Sequence, residues 1–170
     1  MKIFLTGKPR SGKSTVLARI IDILKKNGLK IGGFITPEIR VSGKRIGFKV
    51  VDVYSGEEGI LAKVCTCVQD KPRVGKYCVD VEDFERVALK ALDFVMKECD
   101  LIVVDELGKM ELFSKRFEEK VNKLLLTDKL VICVLHRNLV GRYRKHAKVI
   151  CVTPENREGL VSEVIKILKV

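Results

Sequence analysis

Eight residues near the start of the chain limit its fold more than any other feature of the sequence. They read Gly7-Lys8-Pro9-Arg10-Ser11-Gly12-Lys13-Ser14, which fits the spacing G-x-x-x-x-G-K-[ST]. An apolar segment, residues 2–6, precedes them, and apolar residues recur every three or four positions after them. Between a strand and a helix, successive backbone N–H groups can surround a polyphosphate at the helix N-terminus. The sequence therefore predicts a strand, a phosphate-binding loop and a helix.

This loop predicts the nucleotide-binding residues. We expect Lys13 to reach the β- and γ-phosphate oxygens of a nucleoside triphosphate and the Ser14 hydroxyl to bind Mg²⁺. The predicted nucleotide-binding residues are Gly7, Lys8, Pro9, Arg10, Ser11, Gly12, Lys13, Ser14 and Thr15.

The rest of the chain predicts an α/β domain with a mainly parallel sheet. Apolar periodicity indicates helices over residues 82–99 and 111–126, and a last helix that Thr153 caps and Pro154 begins. Continuous apolar runs at 101–104, 130–135 and 149–152 indicate buried strands. Residues 31–78 show strands joined by turns without a helix, which predicts an inserted antiparallel β meander. With 170 residues, we expect a single domain over 1–170.

Two adjacent acids follow the apolar run at 101–104. Asp105 lies at the C-terminal end of that strand, where ligands bind in open α/β sheets. We expect its carboxylate to hold Mg²⁺ together with Ser14. Glu106 can orient the water that attacks the γ-phosphorus, so we predict it to be catalytic.

Basic residues follow the next strand. His136 and Arg137 come directly after the run 130–135 and should emerge beside the nucleotide. Arg137, Arg142 and Arg144 are candidates for the cation that stabilises the transition state, and Arg137 is chosen as the catalytic one. These basic residues could equally be solvated, and His136 could equally be a structural histidine.

The composition limits the possible binding partners and the cellular location of the protein. The net charge of +11 makes the surface attractive to polyanions, but no nucleic-acid-binding motif is present, so nucleic acid stays a possible partner without a motif. No segment is apolar and long enough to span a membrane or to act as a secretory leader, which predicts a cytoplasmic protein. The absence of Trp and the single Gln hint at a thermophile.

The six cysteines divide into two groups. Cys99, Cys133 and Cys151 lie in or beside apolar runs and are predicted to be buried. Cys65-Thr66-Cys67 lacks the spacing of a zinc or redox pair. If the protein comes from a thermophile, a disulfide among Cys65, Cys67 and Cys78 becomes possible.

Several strings together resemble those of a known family. Besides the loop, these are Gly32-Gly33-Phe34-Ile35-Thr36-Pro37-Glu38-Ile39-Arg40, Asp105-Glu106-Leu107-Gly108-Lys109-Met110-Glu111-Leu112 and Thr153-Pro154-Glu155-Asn156-Arg157. The chain resembles the thermophile-type nucleoside-triphosphatases, relatives of the vertebrate cancer-related nucleoside-triphosphatase. One departure is Arg10, where that family commonly has Gly.

This resemblance implies a fold and an activity. It implies a P-loop NTPase with a RecA-like, mainly parallel sheet flanked by helices, in which an extra strand separates the loop's strand from the strand of Asp105. It implies Mg²⁺-dependent hydrolysis of ATP, GTP and other nucleoside triphosphates to the diphosphate and phosphate. Lys109 and Glu111 are carried over as supporting residues of the site, together with Asn156 near the base.

Two other functions stay open at this point. A nucleotide or nucleoside kinase would use the same loop, with an acceptor in place of water and the basic segment 137–146 as a lid. An RNA-binding protein switched by nucleoside triphosphates would account for the basic charge. The oligomeric state is expected to be a monomer or a weak homo-oligomer.

Overall fold

The computed structural model describes residues 1–66 and 70–170 of the chain. Its strands are β1 (Lys2–Thr6), β2 (Ile31–Ile35), β3 (Glu38–Val41), β4 (Lys44–Asp52), β5 (Glu58–Val64), β6 (Arg73–Val74), β7 (Tyr77–Val79), β8 (Leu101–Leu107), β9 (Leu130–Leu135) and β10 (Lys148–Cys151). Its α-helices are α1 (Lys13–Lys26), α2 (Val81–Glu98), α3 (Lys115–Leu125), α4 (Val140–Tyr143) and α5 (Arg157–Leu168). Short 3₁₀ turns cover Glu111–Phe113, Arg137–Leu139 and Arg144–His146. Among the helices of these residues, none combines the length and the apolarity needed to cross a bilayer.

The described strands form one sheet with a parallel half and an antiparallel half. Its order is β10-β1-β9-β8-β2-β4-β5-β7-β6, with β3 paired to β4. The pairs from β10 to β2 are all parallel, and the pairs beyond β2 are antiparallel. Strand β9 lies between β1, which leads into the loop, and β8, which carries Asp105. The predicted α/β fold, with an extra strand between those two, is therefore confirmed.

Strand β2 differs from the sequence-based expectation. The segment was expected to pair antiparallel, as the first strand of the insertion, but it pairs parallel with β8 along its whole length. It meets β4 only at Phe34 and Ile35. The reason is the helix α1 between β1 and β2, which makes a crossover connection and returns the chain in the same direction. A Cβ on Gly33 would lie 1.9 Å from the Val103 carbonyl oxygen, so only glycine permits this pairing.

Helices cover both faces of the sheet, which buries its central strands. One apolar cluster packs α2 and α3 against one face, and the other packs α1 and α5 against the opposite face. Along β8, Ile102 and Val104 join the first cluster, whereas Leu101 and Val103 join the second. This burial on both faces explains the unbroken apolar run, and it places the acids that follow at the edge of the sheet.

The start of the last helix was predicted wrongly. Helix α5 begins at Arg157, not at Pro154. Thr153 and Asn156 form a reciprocal pair, in which the Thr153 amide donates to Asn156 Oδ1 (2.8 Å) and the Asn156 amide donates to Thr153 Oγ1 (3.2 Å). This pair closes a turn over residues 153–156, so the side chain of Thr153 caps the turn and the helix follows it.

The cysteines are partly as predicted. Cys65 and Cys78 form a disulfide between β5 and β7, with Cα atoms 5.8 Å apart. Cys99 and Cys133 are buried, but Cys151 is exposed, because it ends the edge strand β10. The prediction of a buried Cys151 is therefore wrong. Cys67, the third candidate for the disulfide, lies outside the described residues.

Candidate active site

The predicted phosphate-binding loop connects β1 to α1 through backbone conformations that favour glycine. Gly7 has φ 146° and Gly12 has φ 102°. A Cβ on Gly7 would lie 2.5 Å from the Val152 carbonyl oxygen, so a larger residue would push the loop away from the end of β10. These two glycines therefore let the chain turn sharply into the first turn of α1.

Arg10 also adopts a left-handed backbone conformation, with φ 62°. This conformation is unfavourable by roughly 1–2 kcal/mol for a residue with a Cβ. The geometry gives a physical reason for the glycine that the resembling family commonly has here. This chain nevertheless has an arginine at this position, and its side chain is exposed.

Lys13 lies across the loop that it belongs to. Its Nζ donates to the carbonyl oxygens of Gly7 (3.1 Å) and Lys8 (2.8 Å). Partial burial lowers the pKa of Lys13, although Glu106 and Asp105 nearby oppose that shift. The ammonium group is thus held at the mouth of the loop, opposite the acids of β8.

Ser14 and Asp105 meet although they are far apart in the sequence. The Ser14 hydroxyl donates to Asp105 Oδ2 at 3.0 Å. The Thr36 hydroxyl, at the end of β2, donates to the backbone carbonyl of Asp105 at 2.9 Å. The ends of β1, β8 and β2 therefore meet at one edge of the sheet, as expected for parallel strands.

Two further carboxylates, those of Glu106 and Glu111, lie close to Asp105. Burial, and then the charge of Glu106, raises the pKa of Asp105 to about 7. Burial also raises the pKa of Glu106, and burial followed by the charge of Glu106 raises the pKa of Glu111 well above its usual range. A Cβ on Gly108 would lie 2.7 Å from Glu106 Oε1 and 3.0 Å from Glu111 Oε2. Because Gly108 has no side chain, the carboxylates of Glu106 and Glu111 can approach each other there.

These acids line a cavity of about 290 Å³. Its lining combines Ser14, Thr36 and the acids with an apolar wall of side chains from the insertion and from the segment after β8. The complete lining consists of Ser14, Thr36, Glu38, Phe48, Leu61, Val74, Asp105, Glu106, Lys109, Met110, Glu111 and His136. We call this space the acidic cavity.

The predicted basic residues occupy different places. His136 lines the acidic cavity, and its Nδ1 accepts from the Asn138 amide at 3.2 Å. Burial, and then the charges of Lys109 and Arg137, lowers the pKa of His136, which favours the neutral ring at neutral pH. Arg137 is exposed, and its charge lowers the pKa of Lys13.

Arg142 and Arg144 stand apart from the acidic cavity. Arg142 forms an ion pair with Glu118 and lies over the Tyr143 ring. Arg144 is exposed in the 3₁₀ turn that follows. Neither side chain lines the cavity, so of these arginines only Arg137 lies close enough to influence Lys13.

The residues predicted to support the site also lie in different places. Lys109 and Glu111 line the acidic cavity. Asn156 instead holds the turn before α5, where its Nδ2 donates to the Cys151 carbonyl at 2.9 Å. Its remaining polar atoms are engaged with Thr153, so in this structure the side chain has a structural task.

Sequence reasoning missed several residues at the site. Thr36 binds the backbone of Asp105, and Phe48, Leu61 and Val74 form the apolar wall. Arg157, at the start of α5, lies against the loop, because a Cβ on Gly12 would be 3.0 Å from its Cδ. Only Thr36 carried a local signal, since a hydroxyl at the end of a predicted strand is a common ligand position in α/β proteins.

The oxygen atoms at the end of β8 fit a magnesium ion. Ser14 Oγ and Asp105 Oδ2 are hard oxygen donors within hydrogen-bond distance of each other, which is the donor chemistry that Mg²⁺ prefers. Asp105 is almost fully buried beside a second carboxylate, so ionising it without a cation is unfavourable. A divalent cation at this place would remove that penalty.

Comparisons of sequence agree with this geometry. The model of the NTPase family matches residues 2–165. The nucleoside-triphosphatase THEP1 of Methanocaldococcus jannaschii is 43% identical over 165 residues, which cover 97% of this chain and 95% of that protein. The nucleoside-triphosphatase THEP1 of Pyrococcus abyssi is 41% identical, over 97% of this chain and 90% of that protein.

Two solved structures have the same fold. The crystal structure of THEP1 from the hyperthermophile Aquifex aeolicus matches with a TM-score of 0.85 and 31% identity, over the full length of both chains. The solution structure of a human cancer-related nucleoside triphosphatase matches with a TM-score of 0.82 and 36% identity, over 98% of this chain and 96% of the other. The similarity therefore extends from the loop through the antiparallel half of the sheet.

Proposed function

Because this chain belongs to the NTPase family, as its sequence resemblance predicted, we propose that it hydrolyses nucleoside 5'-triphosphates to the diphosphate and phosphate. We propose further that the reaction requires Mg²⁺ and accepts ATP, GTP and other bases. The observation that carries the proposal is the contact of Ser14, in the loop, with Asp105, beside Glu106. This contact brings the residues proposed to bind phosphate, to bind the cation and to orient water to one edge of the sheet.

Binding of the triphosphate uses the loop and Lys13. Backbone N–H groups of the loop, except at Pro9, which has none, would surround the phosphates, and the N-terminus of α1 adds a partial positive charge. Lys13 exchanges the carbonyl oxygens of Gly7 and Lys8 for phosphate oxygens, which its flexible side chain can reach. Ser14 and Asp105 would hold Mg²⁺, which would supply charge neutralisation of the phosphate oxygens.

Glu106 is the proposed general base. It lies in the acidic cavity next to Asp105, and its raised pKa makes it a stronger proton acceptor than an ordinary glutamate. It orients a water molecule and takes its proton while the water oxygen bonds to the γ-phosphorus. The bond from the γ-phosphorus to the β–γ bridging oxygen breaks, and Lys13 and Arg137 stabilise the charge on the departing diphosphate.

Phosphoryl transfer to an organic acceptor is the second candidate function. The apolar wall of the acidic cavity, formed by Phe48, Leu61 and Val74, favours it. A water molecule requires no such wall, whereas ligand pockets of a few hundred Å³ are usually lined by apolar side chains. In that reaction Glu106 would take the proton of an acceptor hydroxyl in place of the proton of water.

One experiment distinguishes these functions. Phosphate release from ATP, GTP, CTP and UTP is measured with and without Mg²⁺ for the wild type and Glu106→Gln, with a panel of nucleosides added in parallel. We expect Glu106→Gln to lower kcat by about 10²–10⁴-fold, because the general base is lost. Nucleotide affinity should remain, since the loop is intact. The matched control is Glu119→Gln, an exposed glutamate on α3.

The products decide between the candidates. Release of phosphate that is independent of the acceptor and abolished in Glu106→Gln supports hydrolysis. Phosphorylated nucleoside with negligible free phosphate makes the protein a kinase. Full activity of Glu106→Gln overturns the assigned role of Glu106.

A further inference from the structure

A second pocket adjoins the phosphate-binding loop, and its charge is opposite to that of the acidic cavity. It has a volume of about 430 Å³ and is lined by Arg10, Arg40, Gly43, Lys44, Arg45, Ile46, Val64 and Lys76. Five of these side chains are cationic, and none is acidic. They come from the phosphate-binding loop, from β3, from the start of β4 and from the turn before β7. We call this space the basic pocket.

The cations of the basic pocket are largely left without acidic partners. Arg40 and Arg45 share a single carboxylate, Glu38, with N···O distances of 2.7 and 3.1 Å. Arg10, Lys44 and Lys76 form no ion pair or hydrogen bond through their side chains with any residue in 1–66 or 70–170. Three of the five cations therefore have no acidic partner among the described residues, which leaves them available to an anion.

Arg10 supplies an independent observation. Its backbone is held at φ 62°, where glycine would avoid the cost of a Cβ, yet the chain carries the longest cationic side chain there. That side chain lines the basic pocket from the loop itself. Strain that persists at one residue beside a binding loop indicates a role for its side chain.

Arg45 is fixed in place before any ligand arrives. Its Nε donates to the Tyr77 hydroxyl at 2.9 Å, and its guanidinium lies 5.2 Å from the centre of the Phe48 ring. The side of the pocket formed by Lys76 is also fixed, because the Cys65 amide donates to the Lys76 carbonyl at 3.2 Å and Cys65 is joined to Cys78. A positioned guanidinium loses little side-chain entropy when it binds an anion.

This arrangement fits one compact, multiply charged anion. Guanidinium groups match phosphate in a bidentate geometry, and lysines add charge. A single-stranded nucleic acid fits less well, because such strands are bound by extended basic grooves with aromatic side chains that stack on bases. Here the cations converge on one pocket, and its remaining lining is Gly43, Ile46 and Val64, without an aromatic ring.

We propose that the basic pocket binds the phosphate group of a small phosphomonoester, alongside the nucleotide and separately from it. Arg10 belongs to both the loop and the pocket, so the second phosphate lies next to the nucleotide site. Glu38 lines the acidic cavity and also holds Arg40 and Arg45, which connects the two spaces. This binding site does not depend on hydrolysis, and it goes beyond the function proposed above.

The test uses glycerol 3-phosphate as the probe and calorimetry as the measurement. The full-length protein is first saturated with Mg²⁺ and a non-hydrolysable triphosphate analogue, whose own binding is measured, so that the loop is filled. The variant Lys44→Gln/Lys76→Gln removes two exposed cations of the pocket without breaking an ion pair. The matched control is Lys26→Gln/Lys166→Gln, two exposed lysines near the ends of α1 and α5. Thermal unfolding checks that both variants fold.

We expect the wild type to bind glycerol 3-phosphate and not glycerol, with an affinity that falls as salt is added. In Lys44→Gln/Lys76→Gln the Kd should rise about tenfold, because two charge-assisted contacts are lost. The control variant should bind like the wild type. Arg10→Gly should also weaken binding, which would connect the pocket to the loop.

Three outcomes overturn the proposal. They are the absence of probe binding at millimolar concentrations, equal binding of glycerol, and equal affinity in the wild type and Lys44→Gln/Lys76→Gln. Displacement of the probe by an unphosphorylated single-stranded oligonucleotide that binds more tightly would assign the pocket to nucleic acid instead. Failure of the triphosphate analogue to bind would count against the proposed function alone. The probe titration would then be repeated without the analogue, and its result would decide the proposal for the basic pocket.

Discussion

The acidic cavity and the basic pocket are connected by one carboxylate, Glu38, and they differ in how far their charged groups are buried. In the cavity, Asp105 and Glu111 are almost fully buried, and their pKa values are raised. In the pocket, the cations remain exposed to water. The pKa of Glu38 is lowered, because hydrogen bonds from Arg45 and Arg40 outweigh its partial burial. Burial, rather than the number of charges, therefore decides where charge is costly to keep.

This difference gives the two regions different sensitivity to mutation. Changes to buried carboxylates should alter both activity and the pH dependence of stability. Changes to exposed cations should alter ligand affinity and leave the fold nearly unchanged, because exposed charges contribute little to stability.

The largest effect is expected for Asp105→Asn. The variant should lower Mg²⁺-dependent turnover by about 10²-fold or more, because the proposed metal carboxylate is lost. Without Mg²⁺ it should be more stable than the wild type at pH 8 by roughly a few kcal/mol. The folded wild type holds a proton on Asp105 up to about pH 7, whereas the unfolded chain releases it near the ordinary aspartate pKa of 3.8. Wild-type stability therefore falls as the pH rises between these values.

Urea unfolding at pH 5 and pH 8 measures this difference. The gain in stability of Asp105→Asn over the wild type should be larger at pH 8 than at pH 5. Asp128→Asn, a change to an exposed aspartate, serves as the control. A gain that does not vary with pH would show that Asp105 is not the buried acid described above.

A smaller effect is expected for Glu111→Gln. Because the pKa of Glu111 is raised well above its usual range, the folded protein keeps this group protonated, and Gln resembles the protonated acid. Stability at pH 4, where the unfolded chain is also largely protonated, should stay within about 1 kcal/mol of the wild type. As the pH rises from there toward the raised pKa the wild type loses stability progressively, so the variant should be the more stable protein, by more at pH 9 than at pH 6. A large loss of stability at pH 6, measured by urea unfolding, would contradict a neutral Glu111.

The smallest effect is expected for Arg10→Gly in the basic pocket. Relief of the left-handed conformation favours the variant, and the greater flexibility of glycine in the unfolded chain opposes it, so we expect a gain of about 0.5–1 kcal/mol. Ser42→Gly, at a second residue with positive φ (49°) but outside the loop, is the comparison. Similar gains in thermal unfolding of the two variants would assign the effect to the backbone. Destabilisation by Arg10→Gly alone would show that the side chain stabilises the folded protein.

Local patterns in the sequence predicted much of the fold. The loop between β1 and α1, the buried strand β8 and the helix α2 all have strong periodicity or fixed spacing, and the structure has them within a few residues of the expected bounds. Asp105 and Ser14 were expected to meet, and they do so at 3.0 Å. Their roles in metal binding and catalysis stay predictions, as do those of Lys13, Glu106 and Arg137.

Other features could not be read from local patterns. The parallel pairing of β2 depends on the crossover through α1, and the turn before α5 depends on the reciprocal bonds of Thr153 and Asn156. Asn156, Arg142 and Arg144 were expected near the nucleotide, but the observed contacts of Asn156 and Arg142 are with their own structural neighbours. A motif records which residue types are close in the chain, and it does not record which partner each side chain meets.

The sequence by itself determined the succession of strands and helices along the chain, the glycine-dependent turn of the loop and the acids at the end of β8. These features follow from apolar periodicity and backbone conformation, which act between neighbouring residues. Only the tertiary structure decided that Val74 lines the acidic cavity and that Arg10 faces the same pocket as Lys44 and Lys76. Those contacts join segments tens of residues apart, so they depend on how the sheet and its helices pack together.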